Sequence, residues 1–193
     1  MFKSKSQDNR IHMKDKNASY KLNKQIYKNM KDLNYTHNKK LVIVCIGTDR
    51  STGDCLGPLT GSLLKKRKLI NTDIWGDINQ PVHARNLDKT IKTINSKDEY
   101  PFIIAIDAGL GRKSSVGYID VKKGPLKPGT GVNKKLTKIG DMHITGLVNV
   151  GGYMEYLVLQ STRLSVVLQM SKIIAHGLEQ TINKFYLNKK VMD

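Results

Sequence analysis

Two short, unbroken apolar runs dominate the pattern of the chain: Leu41–Gly47 (LVIVCIG) and Phe102–Asp107 (FIIAID). Runs of this length without polar interruption suit strands covered on both faces of a sheet, whereas half-buried strands alternate. Between them the spacing turns helical twice. Leu59, Leu63 and Leu64 follow Gly57-Pro58, which predicts a helix opening with Pro in the favoured first position. Leu87, Ile91 and Ile94 form the inner stripe of a short helix that either Asn86 or Asp88 can cap. A weaker strand is expected over Asp73–Ile78. Strand, helix, strand, helix, strand predicts a largely parallel sheet with right-handed crossovers.

On the C-terminal side, Val116–Val121 alternates and predicts a further strand, with an antiparallel sense left open. Lys122 to Lys138 is rich in Gly, Pro and Lys and is expected to be a mobile loop. His143–Val150 predicts another strand. Tyr153–Leu159 reads as a helix, and Leu164, Val167, Leu168, Ile174, Leu178, Ile182 and Phe185 share one face of a longer one. On the N-terminal side, Met1 to about Asn17 is polar and aperiodic and is expected to be disordered. Leu22, Ile26, Met30 and Leu33 then mark one stripe of a helix, expected to dock on the domain. The division is a basic extension, residues 1–40, partly disordered with one amphipathic helix, and an α/β domain, residues 41–193.

Charge changes this picture little. The net charge is +17, and residues 1–40 hold eleven Lys/Arg against three Asp. Such a balance attracts nucleic acid or anionic membrane by Coulomb force alone. Lys, Asn and Ile are abundant throughout, and no nucleic-acid motif accompanies the charge, so neither a specific nucleic acid nor a membrane is expected as partner. Cys45 and Cys55 lack C-x-x-C spacing and a surrounding Cys/His set, so no zinc site is readable. Lysines near the N-terminus are followed by no apolar stretch, and no run approaches the ~18 apolar residues of a membrane span. A reduced, cytoplasmic setting is expected.

The chemistry is expected where parallel sheets collect ligands, at the carboxyl ends of the strands near a reversal of strand order. Two acids fall there: Asp107 at the end of FIIAID, and Asp54 in the loop that leaves LVIVCIG. If the first strand lies between the second and third, the two carboxylates approach each other. Neighbouring carboxylates in a partly dry cleft share a proton, so one can take a proton from water while the other donates to a carbonyl oxygen or leaving group. The bland alternatives are that Asp54 caps the next helix and that Asp107 holds the turn Asp-Ala-Gly-Leu-Gly. Asp49 is a third acid or a loop brace. His143 could join both aspartates around a metal. Cys55 is a remote candidate nucleophile, without a nearby His. The loop Gly47–Gly53 has the shape of an anion nest, but it lacks the P-loop pattern and its acids would repel a phosphate.

These residues carry a resemblance. Gly47-Thr-Asp-Arg-Ser-Thr-Gly-Asp-Cys-Leu-Gly-Pro58, with Ala105-Ile-Asp-Ala108, resembles the YyaC sporulation proteins, relatives of the spore germination protease. Pro128-Gly-Thr-Gly-Val132 and Ile144-Thr-Gly-Leu-Val-Asn-Val-Gly-Gly-Tyr-Met-Glu155 extend the likeness, which covers about Leu41 to Phe185. The resemblance implies a three-layer α/β/α sandwich with a largely parallel or mixed sheet, of the phosphorylase/hydrolase type and shared with hydrogenase-maturation endopeptidases. In the germination protease the acid of T-P-D-x-L-G-P and that of I-D-A are the proposed catalytic aspartates, and by motif they fall on Asp54 and Asp107. Gly47, Thr48, Asp49, Gly53 and Gly109 would support them. Thr48 stands where that protease has Asn, and Gly53 where it has Pro.

The expected function is a spore-associated peptidase that cleaves a peptide bond of a protein or peptide substrate through Asp54 and Asp107, without a tightly held cofactor. Asp107 is assigned as base and Asp54 as acid, with the reverse left open. One rival is a metal-assisted endopeptidase using Asp54, Asp107 and His143 with a divalent ion such as nickel or zinc, because in the maturation endopeptidases equivalent positions and a later His bind nickel. The other is a non-catalytic sporulation factor that binds a partner protein through the same fold.

Overall fold

The computed structural model describes residues 10–128 and 137–187. Its centre is a six-stranded mixed sheet. In chain order the strands are β1 (Ile11–His12), β2 (Leu41–Cys45), β3 (Thr72–Trp75), β4 (Phe102–Gly111), β5 (Tyr118–Lys123) and β6 (Met142–Val150). Their order across the sheet is β1-β5-β6-β4-β2-β3. β2 pairs parallel with both β3 and β4, and β4 pairs parallel with β6. β5 runs antiparallel between β6 and β1. The first apolar run therefore lies between the second and third strands, the order that brings the ends of β2 and β4 side by side.

Every residue of β2 is buried because both faces are covered. Leu41, Ile43 and Cys45 point into a large core beneath three helices: α1 (Ala18–Asp32), α2 (Leu56–Lys65) and α5 (Leu164–Leu187). Val42, Val44 and Ile46 point the other way, into a smaller core closed by Leu87 and Ile94 of α3 (Leu87–Lys97), by Val82, and by Leu126 and Ile139. This is the helix, sheet, helix layering that the alternation-free strands imply. A short helix, α4 (Glu155–Gln160), follows β6 and buries none of its residues.

Several local expectations shift. Arg10–Asn17 is ordered rather than disordered: Ile11 and His12 pair with Ile119 and Tyr118, and Arg10 is ion-paired with Asp120 at 3.0 Å. The pairing of a polar segment with an edge strand leaves no trace in hydrophobic periodicity. Leu22, Ile26 and Met30 of α1 are fully buried in the large core, and Gln25 reaches the carbonyl of Val121. Helix α2 opens two residues earlier than expected, at Leu56, so Pro58 is the third helical residue, still in the turn where a missing N–H costs nothing. Strand β3 stops at Trp75, because Gly76 turns away with φ +88°. Leu164 is exposed at the start of α5 rather than inward. Of the glycine- and lysine-rich stretch, Lys122–Lys123 belong to β5 and Leu126 bridges Ile139, while residues 129–136 lie outside the described residues, as does most of Pro128–Val132.

Candidate active site

The cleft opens above the carboxyl ends of β2 and β4. Asp54 and Asp107 both line it, and its volume is about 720 Å³. The rim includes Thr48, Asp49 and Arg50 from the loop after β2, Pro81, His83 and Arg85 from the loop after β3, and Glu155, Tyr156 and Leu159 from α4.

Asp107 is buried and does not end its strand. β4 continues to Gly111 because β6 pairs with it as far as Val150, with a register shift between Gly109 and Leu110. The expected Asp-Ala-Gly-Leu-Gly turn is thus extended strand, and Asp107 has no turn to hold. β2 ends at Cys45, however, so the flank of β4 beyond Ile106 is left open, and the carboxyl group faces the cleft there. One carboxyl oxygen of Asp107, Oδ1, accepts the N–H of Ala108 at 2.8 Å. Burial pushes its pKa well above the ordinary carboxylate range, and the neighbouring charge of Asp54 pushes it further the same way.

Asp54 is not a helix cap either. The N-cap position of α2 is Cys55, without a side-chain capping bond. The Asp54 carboxylate instead takes the backbone N–H of Thr48 across the loop. Burial raises its pKa, while that N–H and the nearby His83 pull it down. Both helix-capping and turn-holding roles being absent, the two acids are left facing one another's charge in one cleft. Such a pair resists double ionisation and retains a proton between its members.

The glycines make this loop possible. At Gly47 (φ +138°) a Cβ would lie 2.0 Å from the carbonyl oxygen of Asp54, so the loop can fold back only over a bare Cα. At Gly53 a side chain would meet Leu159 and Thr162, and the Gly53 N–H donates to the Leu159 carbonyl at 2.8 Å, tying the acidic loop to α4. Gly109 lines the cleft, and a Cβ there would press on Thr145 at 2.8 Å. Asp49 is exposed at the rim and accepts a bond from the Thr48 hydroxyl at 3.3 Å, which makes it a loop brace rather than a third member of the pair.

His143 does not join the aspartates. It sits two residues, about 7 Å, back along β6 from the partner of Asp107. Its Nδ1 is engaged with the carbonyl of Gly124 at 2.8 Å. Among the described residues no group of three His, Cys, Asp or Glu is placed to hold a metal ion. The donors expected for the metal-assisted rival therefore do not assemble.

Three contributors escaped the sequence reading. His83 reaches the cleft from the loop after β3, where nothing in the periodicity marks it. Asp77, buried, is paired with Lys65 and accepts the N–H groups of Asn79 and Gln80 at 2.7 Å each, which fixes the course of that loop toward His83. Ser51 is buried in the cleft wall, and among the described residues its hydroxyl has no hydrogen-bond partner. Cys45 and Cys55 are free thiols whose pKa burial pushes up, which makes both poor nucleophiles.

A family model described as "Protein of unknown function (DUF1256)" matches residues 10–177. The chain belongs to this family. It is 52% identical over 143 residues to the "Uncharacterized protein YyaC" of Bacillus subtilis (strain 168), a match covering 74% of this chain and 70% of that protein. The DUF1256 match begins at Arg10, so it includes the β1 and α1 segments that the structure packs against the sheet. Among solved structures, the fold is similar to the [NiFe] hydrogenase maturation protease HycI from Thermococcus kodakarensis KOD1. That likeness has a TM-score of 0.54 over 82% of this chain and 99% of the other, at 14% identity. At that identity the likeness concerns the fold alone and carries no residue roles. No described helix is long and apolar enough to cross a membrane.

Proposed function

We propose that this DUF1256 protein is an aspartate-dependent peptidase in which Asp54 and Asp107 share the acid–base work of hydrolysing a peptide bond. The observation that supports this most is the convergence of two raised carboxyl groups, remote in sequence, in one open cleft. The peptidase-like fold agrees with it. Action in the sporulating cell or spore is part of the proposal and is supported by the motif resemblance to the germination protease.

The environments favour the reverse of the assignment made from sequence. Asp107 is the more deeply buried and is raised further, so it carries the shared proton, on the oxygen that does not accept from Ala108. Asp54, held by the Thr48 N–H and close to His83, is the ionised partner. In the hydrolytic step Asp54 takes a proton from water as its oxygen attacks the scissile carbonyl carbon, and Asp107 donates its proton to the carbonyl oxygen. The resulting gem-diol then collapses: its C–N bond breaks as Asp54 returns a proton to the leaving amine, and Asp107 recovers its proton from one diol hydroxyl, whose oxygen becomes the carbonyl of the new carboxyl group.

The test is a comparison of new N-termini. Wild-type protein, Asp54→Asn and Asp107→Asn are each incubated with an unfolded proteome, and peptides are read by N-terminal labelling and mass spectrometry. Recurrent new termini with wild type alone are expected. Termini that persist in both variants would remove the pair from the chemistry.

A further inference from the structure

On one side the sheet ends, among the described residues, at β3, which pairs with β2 alone. Among the described residues no element pairs with its outer edge, so the outward N–H and C=O groups of Thr72–Trp75 are open to a further strand. The edge is not flat. It forms the floor of a trough of about 740 Å³, with Leu64, Lys65 and Arg67 at the end of α2 on one bank and Asn86, Thr90 and Lys97 around α3 on the other. Ile70 and Ile78, at either end of β3, are exposed.

The trough leads somewhere. Pro81 and His83 line both the trough and the aspartate cleft, so the two hollows share a wall and follow one another past the end of β3. We propose that the trough takes an extended, acidic peptide segment as an added strand beside β3, and that this segment passes Pro81 and His83 into the cleft. The proposal rests on the peptidase reading and names the form and charge of its substrate.

Two features select this occupant. An open strand edge matches one chemistry best, another extended backbone, which satisfies alternate donors and acceptors while side chains fall to both banks. The charge of the banks selects acidic side chains. Lys65 and Arg67 already hold Asp77 and Glu179, and Lys40 holds the one lining carboxylate, Asp73, at 2.7 Å, so the charge left to select an occupant is that of Lys97 on the α3 bank. Lys97 lies 5.1 Å above the ring of Trp75, with no carboxylate partner among the described residues. A second copy is a poorer fit. Two-fold pairing of β3 edges would bring two Lys97 side chains to one seam of only four strand residues.

Trp75 is the sole tryptophan of the chain and lines the trough, so its fluorescence reports occupancy without any need for cleavage. The probes are a blocked hexapeptide alternating Glu and Val, the same peptide N-methylated at alternate residues, and one alternating Lys and Val. The protein is the full-length Asp107→Asn variant, and isothermal titration gives a second readout. The Glu–Val peptide should change Trp75 emission and bind at least about tenfold more tightly than either control. Lys97→Glu, assayed by titration calorimetry, should weaken it by about fivefold or more. Equal binding of the N-methylated peptide would overturn strand addition, and equal binding of the Lys–Val peptide would overturn the charge assignment. No binding by any peptide would also overturn the proposal, and a concentration-dependent dimer in sedimentation would then show that a second copy covers the edge. Binding without cleavage by wild-type protein would leave the docking site standing and count against the peptidase reading alone.

Discussion

Asp107→Asn should make the folded protein more stable, and increasingly so as pH rises. The unfolded chain releases the Asp107 proton near pH ~4. The native protein retains it to higher pH, because burial and Asp54 both disfavour the carboxylate. Over that window the native state binds more protons than the unfolded one, so wild-type stability falls with pH, by about 1.4 kcal/mol for each pH unit that the proton is kept. An Asn amide carries no such penalty, and its Oδ1 can still accept the Ala108 N–H that Asp107 accepts at 2.8 Å. Asp54 is present in both proteins, so most of its own contribution cancels. For a domain of this size the melting temperatures should diverge by about 3–6 °C per pH unit across the window. Urea titrations of both proteins at pH 4.5, 5.5, 6.5 and 7.5 measure the gap directly. A gap that stays constant with pH, or a wild type that gains on the variant as pH rises, would show that Asp107 is an ordinary ionised carboxylate and would refute the reasoning.

Other consequences are simpler to test. Leu22→Ala should cost about 2–5 kcal/mol in chemical denaturation, since Leu22 is fully buried between α1 and α5 and packs over Gly177; a change under 1 kcal/mol, well below that ~2 kcal/mol floor, would show that α1 is dispensable to the core. Ser51→Ala should leave stability in urea titration unchanged or raise it, because the lost hydroxyl has no partner among the described residues; a loss of more than about 1 kcal/mol would show that the hydroxyl is engaged. In His83→Ala the influence that lowers the Asp54 pKa is gone, so the acidic limb of the pH–activity profile should move to higher pH. An unmoved limb would take His83 out of the electrostatics of the site.

The sheet was legible from the sequence because β2 and β4 are apolar on both faces, a pattern that few other elements produce. The approach of Asp54 to Asp107 was conditional on β2 lying between its neighbours, and the sheet order meets that condition, with both acids lining one cleft. What escaped it has local causes. Ile11 and His12 join the sheet through backbone pairing, which periodicity does not record. β4 runs on past Asp107 because of its partner β6, and pairing across some 40 positions of sequence has no local signature. His143 lies on the expected strand, but only the fold shows its ring held by Gly124, well short of the cleft. His83 and Ser51 belong to loops whose course is set by buried Asp77 and by close backbone approach at Gly47 and Gly53. Such contacts are made in three dimensions and leave only single, unpatterned residues in the chain.

The most direct test is the titration of the Asp107 carboxyl carbon by ¹³C NMR, in wild-type protein and in Asp54→Asn. A midpoint well above the ordinary carboxylate range in wild type, falling when Asp54 loses its charge, is the result expected of two acids that share a proton. A midpoint near ~4 in wild type, or one indifferent to residue 54, would contradict it.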